Sequence, residues 1–213
     1  MIRDTSPVTR DTSRVTGLIL AGGQSSRMGR DKALLPIGSR TLIELVAQRL
    51  RLFVERVVVI GHAHNIQRLR DILPADAVLM DAQPGCGPLM GIYTGLLHTE
   101  TPLNVCVPCD MPWIEWRLVE RLLSVCGGDV EAAASLHPLE GVQPFPLVCQ
   151  VKACRAIGAL LNRGERSLQS LLRQPRTQLV RIEAPDWWRS FMNINTLADY
   201  AKLTDEVSLA PRP

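Results

Sequence analysis

Four short, apolar-rich runs, Val15 to Leu20, Val57 to Ile60, Ala77 to Met80 and Leu103 to Val107, alternate along the chain with stretches of helical periodicity. The helical stretches are Thr41 to Leu52, Ile66 to Leu73, Leu89 to His98 and Trp116 to Val125. A strand wetted on one face alternates apolar and polar residues, whereas a strand covered on both faces reads as a nearly continuous apolar run. Runs of the second kind, spaced by amphipathic helices, predict a parallel sheet with helices packed on both sides. Beyond Asp129 the pattern loosens. Val130 to Ala134, Phe145 to Cys149 and Gln178 to Ile182 are expected strands. Lys152 to Leu161, Ser167 to Leu172 and Thr196 to Leu203 are expected helices, the last capped by Thr196. No Pro/Gly/Ser-rich linker separates the halves, so a single domain is expected over residues 15–204. At 213 residues the chain is long enough to bury such a core. The expected fold is α/β: three layers, with a mixed and mostly parallel sheet between helices. In such folds ligands sit outside the carboxyl ends of the strands.

Polar tails flank this domain. Arg3-Asp4-Thr5-Ser6-Pro7-Val8-Thr9 is nearly repeated by Arg10-Asp11-Thr12-Ser13-Arg14-Val15-Thr16. Two copies of so polar a unit cannot build a core, so residues 1–14 are expected to be a disordered leader. Residues 205–213 are expected to form a flexible tail. No apolar run approaches the roughly 18 residues that span a bilayer, and the leader lacks the apolar stretch of a signal peptide. No membrane partner is expected, and the location implied is cytoplasmic. A net charge of +3, with the arginines spread out, excludes a basic face for nucleic acid as the organising feature. Of six cysteines, Cys106 and Cys109 form a C-x-x-C. That spacing suits a redox pair or half a zinc site, but no second half follows, and free cysteine also packs as a small hydrophobe.

After the first strand comes Leu20-Ala21-Gly22-Gly23-Gln24-Ser25-Ser26-Arg27-Met28-Gly29-Arg30-Asp31-Lys32. Consecutive glycines let successive backbone N–H groups turn inward as an anion nest, and Arg27 and Lys32 add two cations. A guanidinium forks across phosphate oxygens and an ammonium acts as a point charge. The spacing fits neither the P-loop G-x-x-x-x-G-K-[ST] nor the dinucleotide G-x-G-x-x-G. A tight strand-to-helix turn with incidental charges is the alternative for a Gly-Gly pair alone.

Asp110 follows the strand Leu103 to Val107, at the sheet edge where the glycine loop also lies. A carboxylate there can hold Mg²⁺, which takes few protein ligands beside substrate phosphates. Charge developing at an α-phosphate needs more than the ~0.3–2 kcal/mol a helix terminus supplies, and a divalent ion meets that need. The other reading of Asp110 is a cap for the next helix. Asp81 follows the strand Ala77 to Met80 and can instead be a plain turn residue. Gly87-Pro88-Leu89-Met90-Gly91 opens a helix, with Pro88 suited to its first turn. Gly164-Glu165-Arg166-Ser167-Leu168 brings a guanidinium and a hydroxyl to another helix start, where Ser167 can also serve as its own helix cap. Asn193 and Asn195 share one side of an extended segment. Trp187 and Trp188 are read as packing residues.

These motifs together resemble the molybdenum cofactor guanylyltransferases, within the wider nucleotidyltransferase family of the glycosyltransferase-A-like fold. The likeness starts with L-A-G-G-x-S-x-R-M-G-x-D-K at Leu20 to Lys32. It continues, in order, through Gly87 to Gly91, Pro108-Cys109-Asp110-Met111-Pro112, Gln143-Pro144 to Leu147, Gly164 to Leu168 and Asn193 to Thr196. The resemblance implies transfer of GMP from GTP to the terminal phosphate of molybdopterin, with release of pyrophosphate. By it, Arg27, Lys32 and Asp110 are catalytic and Asp110 is the Mg²⁺ ligand. Leu20, Ala21, Gly22, Gly23, Lys32, Asp81, Gly87, Pro88 and Asp110 would contact the nucleotide. Arg166, Ser167, Asn193 and Asn195 would line the acceptor cleft. GTP and molybdopterin are the implied substrates, and molybdoenzymes or other cofactor-biosynthesis proteins the implied partners. A cytidylyltransferase using molybdopterin, a sugar-phosphate nucleotidyltransferase and a non-catalytic molybdopterin carrier are the alternatives. One departure stands out: relatives can carry an asparagine just after the second strand that contacts the nucleotide. Ile60 takes that place here, leaving main chain or His62 to make the contact.

Overall fold

The structure, a computed structural model, describes residues 14–22, 31–74, 77–83 and 85–209. The expected leader, apart from Arg14, lies outside the described residues, as do Gly23 and Arg27 of the glycine loop. The first half runs β1 (Val15–Leu20), β2 (Pro36–Ile37), β3 (Arg40–Thr41), α1 (Leu42–Arg51), β4 (Arg56–Gly61), α2 (Ile66–Ile72), β5 (Val78–Met80) and α3 (Gly87–Leu97). Then come β6 (Leu103–Pro108), α4 (Trp116–Val125), β7 (Ala132–His137), β8 (Gly141–Gln150), α5 (Cys154–Asn162), α6 (Leu168–Leu172), β9 (Thr177–Arg181) and α7 (Leu197–Leu209). Among the described residues the main sheet has seven strands in the order β5-β4-β1-β6-β8-β7-β9. β8 runs antiparallel to its neighbours β6 and β7, and the other pairings are parallel. The sheet is therefore mixed and mostly parallel, as expected.

Alternation along the strands divides the core into two layers. Ile19, Val57, Val59, Val105 and Val107 face one side, where α1, α2, α4 and α7 bring Ile43, Leu69, Leu118 and Leu203. Leu18, Val58, Ile60 and Cys106 face the other, under α3, α5 and α6. In α3, Leu89, Ile92 and Leu96 are all essentially inaccessible. Burying each is worth about 1.5–3 kcal/mol, so this helix is docked firmly and fixes the position of its first turn. Helix starts are set by local chemistry. Glu44 accepts from the Thr41 N–H at 2.7 Å at the head of α1. At α7, Asp199 accepts from the Thr196 N–H at 2.8 Å while Thr196 Oγ1 accepts from the Asp199 N–H at 3.1 Å, a reciprocal capping box.

Three segments depart from expectation in ways that bear on the core and the site. β8 begins at Gly141 rather than Phe145, since Val142 and Gln143 pair with Leu136 and Ser135 of β7. Pro144 and Pro146, which lack backbone donors, interrupt the ladder there and hide the strand in the sequence. β7 correspondingly starts at Ala132 and continues to His137. Residues 205–209, expected in the tail, belong to α7, which continues to Leu209; the rest of the expected tail lies outside the described residues. Glu206 accepts from Trp113 Nε1 at 2.8 Å and pairs with Arg189, which ties that last turn down. Among the described residues no helix is long and apolar enough to cross a membrane.

Candidate active site

The carboxyl ends of four adjacent parallel strands are laced together by single backbone hydrogen bonds. Asp81 donates its N–H to Gly61, Ala21 to Ile60 and Cys109 to Leu20, at 2.9, 2.8 and 3.0 Å. Residues as far apart in sequence as Leu20 and Cys109 thus fall in one row along the sheet edge. Asp81, the start of the glycine loop and Asp110 all stand in that row.

At the β1–β6 end of the row, Lys32 Nζ lies 2.8 Å from Asp110 Oδ2 and 2.7 Å from Asn195 Oδ1. Both members of the ion pair are largely shielded, with 16% and 18% of their side chains exposed. Lys32 opens a short 3-10 turn that Asp31 caps by accepting from the Ala33 N–H at 2.9 Å. Asn195 is delivered by the extended segment before α7, which is fastened to the same place: the Ile194 N–H donates to the Asp110 carbonyl at 2.8 Å. Ile194 is buried, while Asn193 and Asn195 on either side of it are exposed. Two hard oxygens, one carboxylate and one amide, so converge on a single cation at the sheet edge.

On the β1–β4–β5 side of the row is a cavity of about 670 Å³. Its lining includes Leu20, Gly22, Asp81, Gly87 and Pro88, five of the residues expected at the nucleotide, together with Ile60, His62 and His64. Asp81 is buried and accepts from the Gln83 N–H and from Thr94 Oγ1, at 3.3 and 3.4 Å. Gly87 has φ +71°, and a Cβ there would lie 2.6 Å from the Arg166 carbonyl oxygen. Glycine at 87 is therefore required twice, by conformation and by the close approach of the Gly164–Ser167 segment. The Arg166 guanidinium reaches back to Cys86 beside it. Ser167 accepts from the Gln169 N–H at 3.2 Å, so its hydroxyl serves α6 as a cap.

Asn65 is the residue that sequence reasoning passed over. It is 1% exposed and donates to both the Ala21 carbonyl and Asp31 Oδ2, at 2.8 and 2.7 Å, while accepting from the His62 N–H at 2.8 Å. One buried amide thereby joins the two ends of the glycine loop to the turn after β4. The available signal was its position immediately before α2, which reads as an ordinary helix cap. The C-x-x-C pair does not meet: Cys106 is buried on the α3 face of the sheet and Cys109 on the α1 face. Cys106 instead touches Cys149 across β6 and β8, with the sulfurs 3.7 Å apart. Trp187 and Trp188 pack against the α1-side core, as expected, with Trp188 tilted over His137 at 4.7 Å.

Residues 17–180 match the family model described as a MobA-like NTP transferase domain. A protein of Peptoclostridium acidaminophilum named probable molybdenum cofactor guanylyltransferase is 32% identical over 206 residues, covering 90% of each chain. The molybdenum cofactor guanylyltransferase of Vibrio campbellii is 32% identical over 193 residues, covering 89% of this chain and 95% of its own. Among solved structures, molybdopterin-guanine dinucleotide biosynthesis protein A from Archaeoglobus fulgidus superposes with a TM-score of 0.75 at 21% identity, covering 92% of this chain and all of the other. That structure supports the fold, and the sequence matches support the family: the chain belongs to the MobA-like NTP transferases.

Proposed function

We propose that this chain transfers GMP from GTP to the terminal phosphate of molybdopterin, forming molybdopterin guanine dinucleotide and pyrophosphate. The observation that carries the reading is the convergence of Lys32, Asp110 and Asn195 at the ends of β1 and β6, next to the cavity after β1. A cavity of this volume suits a nucleoside bounded by glycine-rich backbone. The triphosphate then runs from it towards Lys32, with Arg27 of the same loop as the second cation. An oxygen of the acceptor phosphate attacks the α-phosphorus, the bond from that phosphorus to the β-phosphate bridge breaks, and pyrophosphate leaves. A phosphate acceptor is already ionised at neutral pH, so no general base and no covalent nucleophile are assigned.

Asp110 and Asn195 offer hard oxygen donors of the kind Mg²⁺ takes, and their shared contact with the Lys32 ammonium marks a point where positive charge is stabilised. When bound, Mg²⁺ would neutralise charge building at the α-phosphate and on the departing pyrophosphate. Lys32 holds the carboxylate and amide in place and takes up the phosphate charge. Arg166 and the exposed Asn193 and Asn195 are assigned to the acceptor side, Ser167 to support of that segment. The location assigned is the cytoplasm, and molybdoenzymes or cofactor-biosynthesis proteins are the assigned recipients.

The test is pyrophosphate release from GTP, CTP and ATP in the presence of molybdopterin and Mg²⁺. Release with GTP is expected. Release with CTP alone would move the chain to cytidylyl transfer, and no release with any nucleotide would favour a carrier.

A further inference from the structure

The polar side chains of the cavity are arranged around a gap. His62 Nε2 lies 3.9 Å from Asp81 Oδ2, too far for a hydrogen bond, although only 15% and 4% of the two side chains are exposed. Asp81 cannot be turned freely to close it, because Oδ1 is already engaged by Thr94 Oγ1 and the Gln83 N–H. His62 is also fixed. Its N–H is held by Asn65, and its ring stacks on His64 with centroids 5.8 Å apart and planes 12° apart. The imidazole also lies directly on Gly22, where a Cβ would come 1.8 Å from Nε2. Two partly desolvated groups of opposite character thus face one another without meeting.

An atom about 2.8 Å from each would bond both, with the two bonds about 90° apart, an acceptable geometry for one oxygen. That atom must accept from an imidazole N–H and donate to a carboxylate. A hydroxyl does both; a base carbonyl only accepts and a base N–H only donates. A guanine N1–H and N2–H paired with both oxygens of Asp81 would have to share Oδ1 with the Gln83 N–H and the Thr94 hydroxyl, whereas a hydroxyl needs Oδ2 alone. In a nucleoside triphosphate the remaining hydroxyls are those of the ribose.

We propose that His62 and Asp81 clamp one ribose hydroxyl of the nucleotide, His62 Nε2–H donating to it and Asp81 Oδ2 accepting from it, so that the chain selects ribonucleotides. The proposal rests on the cavity being the nucleotide site. It gives His62 a specificity-determining role at the wall where Ile60 has no polar group to offer. A site built to bond a hydroxyl rejects the analogue lacking it because its own polar groups are then left unpaired.

Equilibrium binding of GTP, 2′-deoxy-GTP and 3′-deoxy-GTP to the full chain tests this, with CTP and its deoxy forms in parallel. The unaltered chain should bind one of the two deoxy forms roughly 10- to 100-fold more weakly than GTP. His62→Ala should weaken GTP by a similar factor and leave that deoxy form within about threefold, so that discrimination collapses. His62→Gln, which keeps an N–H donor, should retain part of it. Equal binding of GTP and both deoxy forms by the unaltered chain overturns the clamp, whether or not any variant folds. So does full discrimination in a folded His62→Ala, or a loss there that follows the base and not the sugar. Tight binding of CTP in place of GTP, with the hydroxyl preference intact, would overturn the guanine assignment and leave the clamp standing. Binding of no nucleoside triphosphate would overturn both.

Discussion

Replacing Asp110 by Asn separates the chemistry of the site from its architecture. The substitution keeps the side-chain volume and leaves untouched the bond from the Ile194 N–H to the Asp110 carbonyl, which ties the Asn195 segment down. Lys32 keeps Asn195 Oδ1 at 2.7 Å and can still be accepted by the new amide oxygen. What is lost is one negative charge, 2.8 Å from the ammonium and 18% exposed. Exposed pairs are worth up to ~1 kcal/mol and fully buried ones cost ~3–5 when broken, so a shielded pair that retains a neutral acceptor should cost about 1–2 kcal/mol. For a domain of this size that lowers Tm by roughly 2–8 °C. The catalytic loss should be far larger. A divalent ion contributes several kcal/mol of charge stabilisation in the transition state, and each 1.36 kcal/mol is tenfold in rate, so kcat should fall at least about 10³-fold. The measurements are a melting curve and pyrophosphate release from GTP with molybdopterin across a Mg²⁺ titration. A folded Asp110→Asn variant with Mg²⁺-dependent turnover within tenfold of the parent would refute the role given to this carboxylate.

Asn65→Ala removes three hydrogen bonds, one buried and two part-buried, that join the two ends of the glycine loop to the turn after β4. A loss of about 2–4 kcal/mol and a fall in Tm of roughly 5–15 °C are expected, and an unchanged melting curve would show that the loop is held by other contacts. The Glu206 carboxyl is held below its usual range chiefly by the Trp113 indole N–H, with Arg189 adding to the effect. A depressed carboxylate contributes stability above its unfolded pKa and loses it as pH falls through the lower folded value. The stability gap between the parent and Glu206→Gln should therefore be constant at neutral pH and close below about pH 4.5. A gap that opens on acidification would contradict this. Burial, with the adjacent Asp110 carboxylate, pushes the Cys109 thiol far up, and Cys154 is the one cysteine that is not buried. Alkylation of the native protein at pH 8 should mark Cys154 and spare the other five until denaturant is added; early labelling of Cys106 and Cys109 would revive the redox reading.

How much of this was legible in the sequence depends on how locally each feature is determined. β1 is readable because both its faces are covered, and Trp116–Val125 because α4 is amphipathic over its whole length. The hairpin of β2 and β3 has two residues in each strand, too few to show any period. The prolines of β8 argue against a strand unless the antiparallel partner β7 is known. At the site, glycine loop and carboxylate can be picked out as residue types, and their strand-end positions follow from the alternation of elements. The bond from Lys32 to Asp110 spans 78 positions, and that to Asn195 spans 163. Partners so distant are chosen by strand order, which no local pattern encodes. Asn65 was missed for the same reason, since its bonds run 44 positions back to Ala21 and 34 back to Asp31.

Strand order also explains why Lys32 and Asp110 meet at the ends of β1 and β6. From β1 the chain moves outward through α1 to β4 and then β5, on one side of the sheet's centre. From β5 it crosses back through α3, on the opposite face, to place β6 against the free side of β1. The segments leaving the carboxyl ends of β1 and β6 both turn to the same face, but α1 packs on β1 and β4 while α4 packs on β7 and β8, so the two diverge along the sheet edge. The register Leu20 to Pro108 aligns the last residues of both strands, so the start of the glycine loop at Ala21 and Asp110 stand side by side. Beyond β6 the direction reverses in β8, which brings no further carboxyl end to that position. The gap is bridged instead by the late segment at Ile194 and Asn195, anchored on the Asp110 backbone. The same topology that separates Lys32 from Asp110 in sequence brings them together at the ends of β1 and β6.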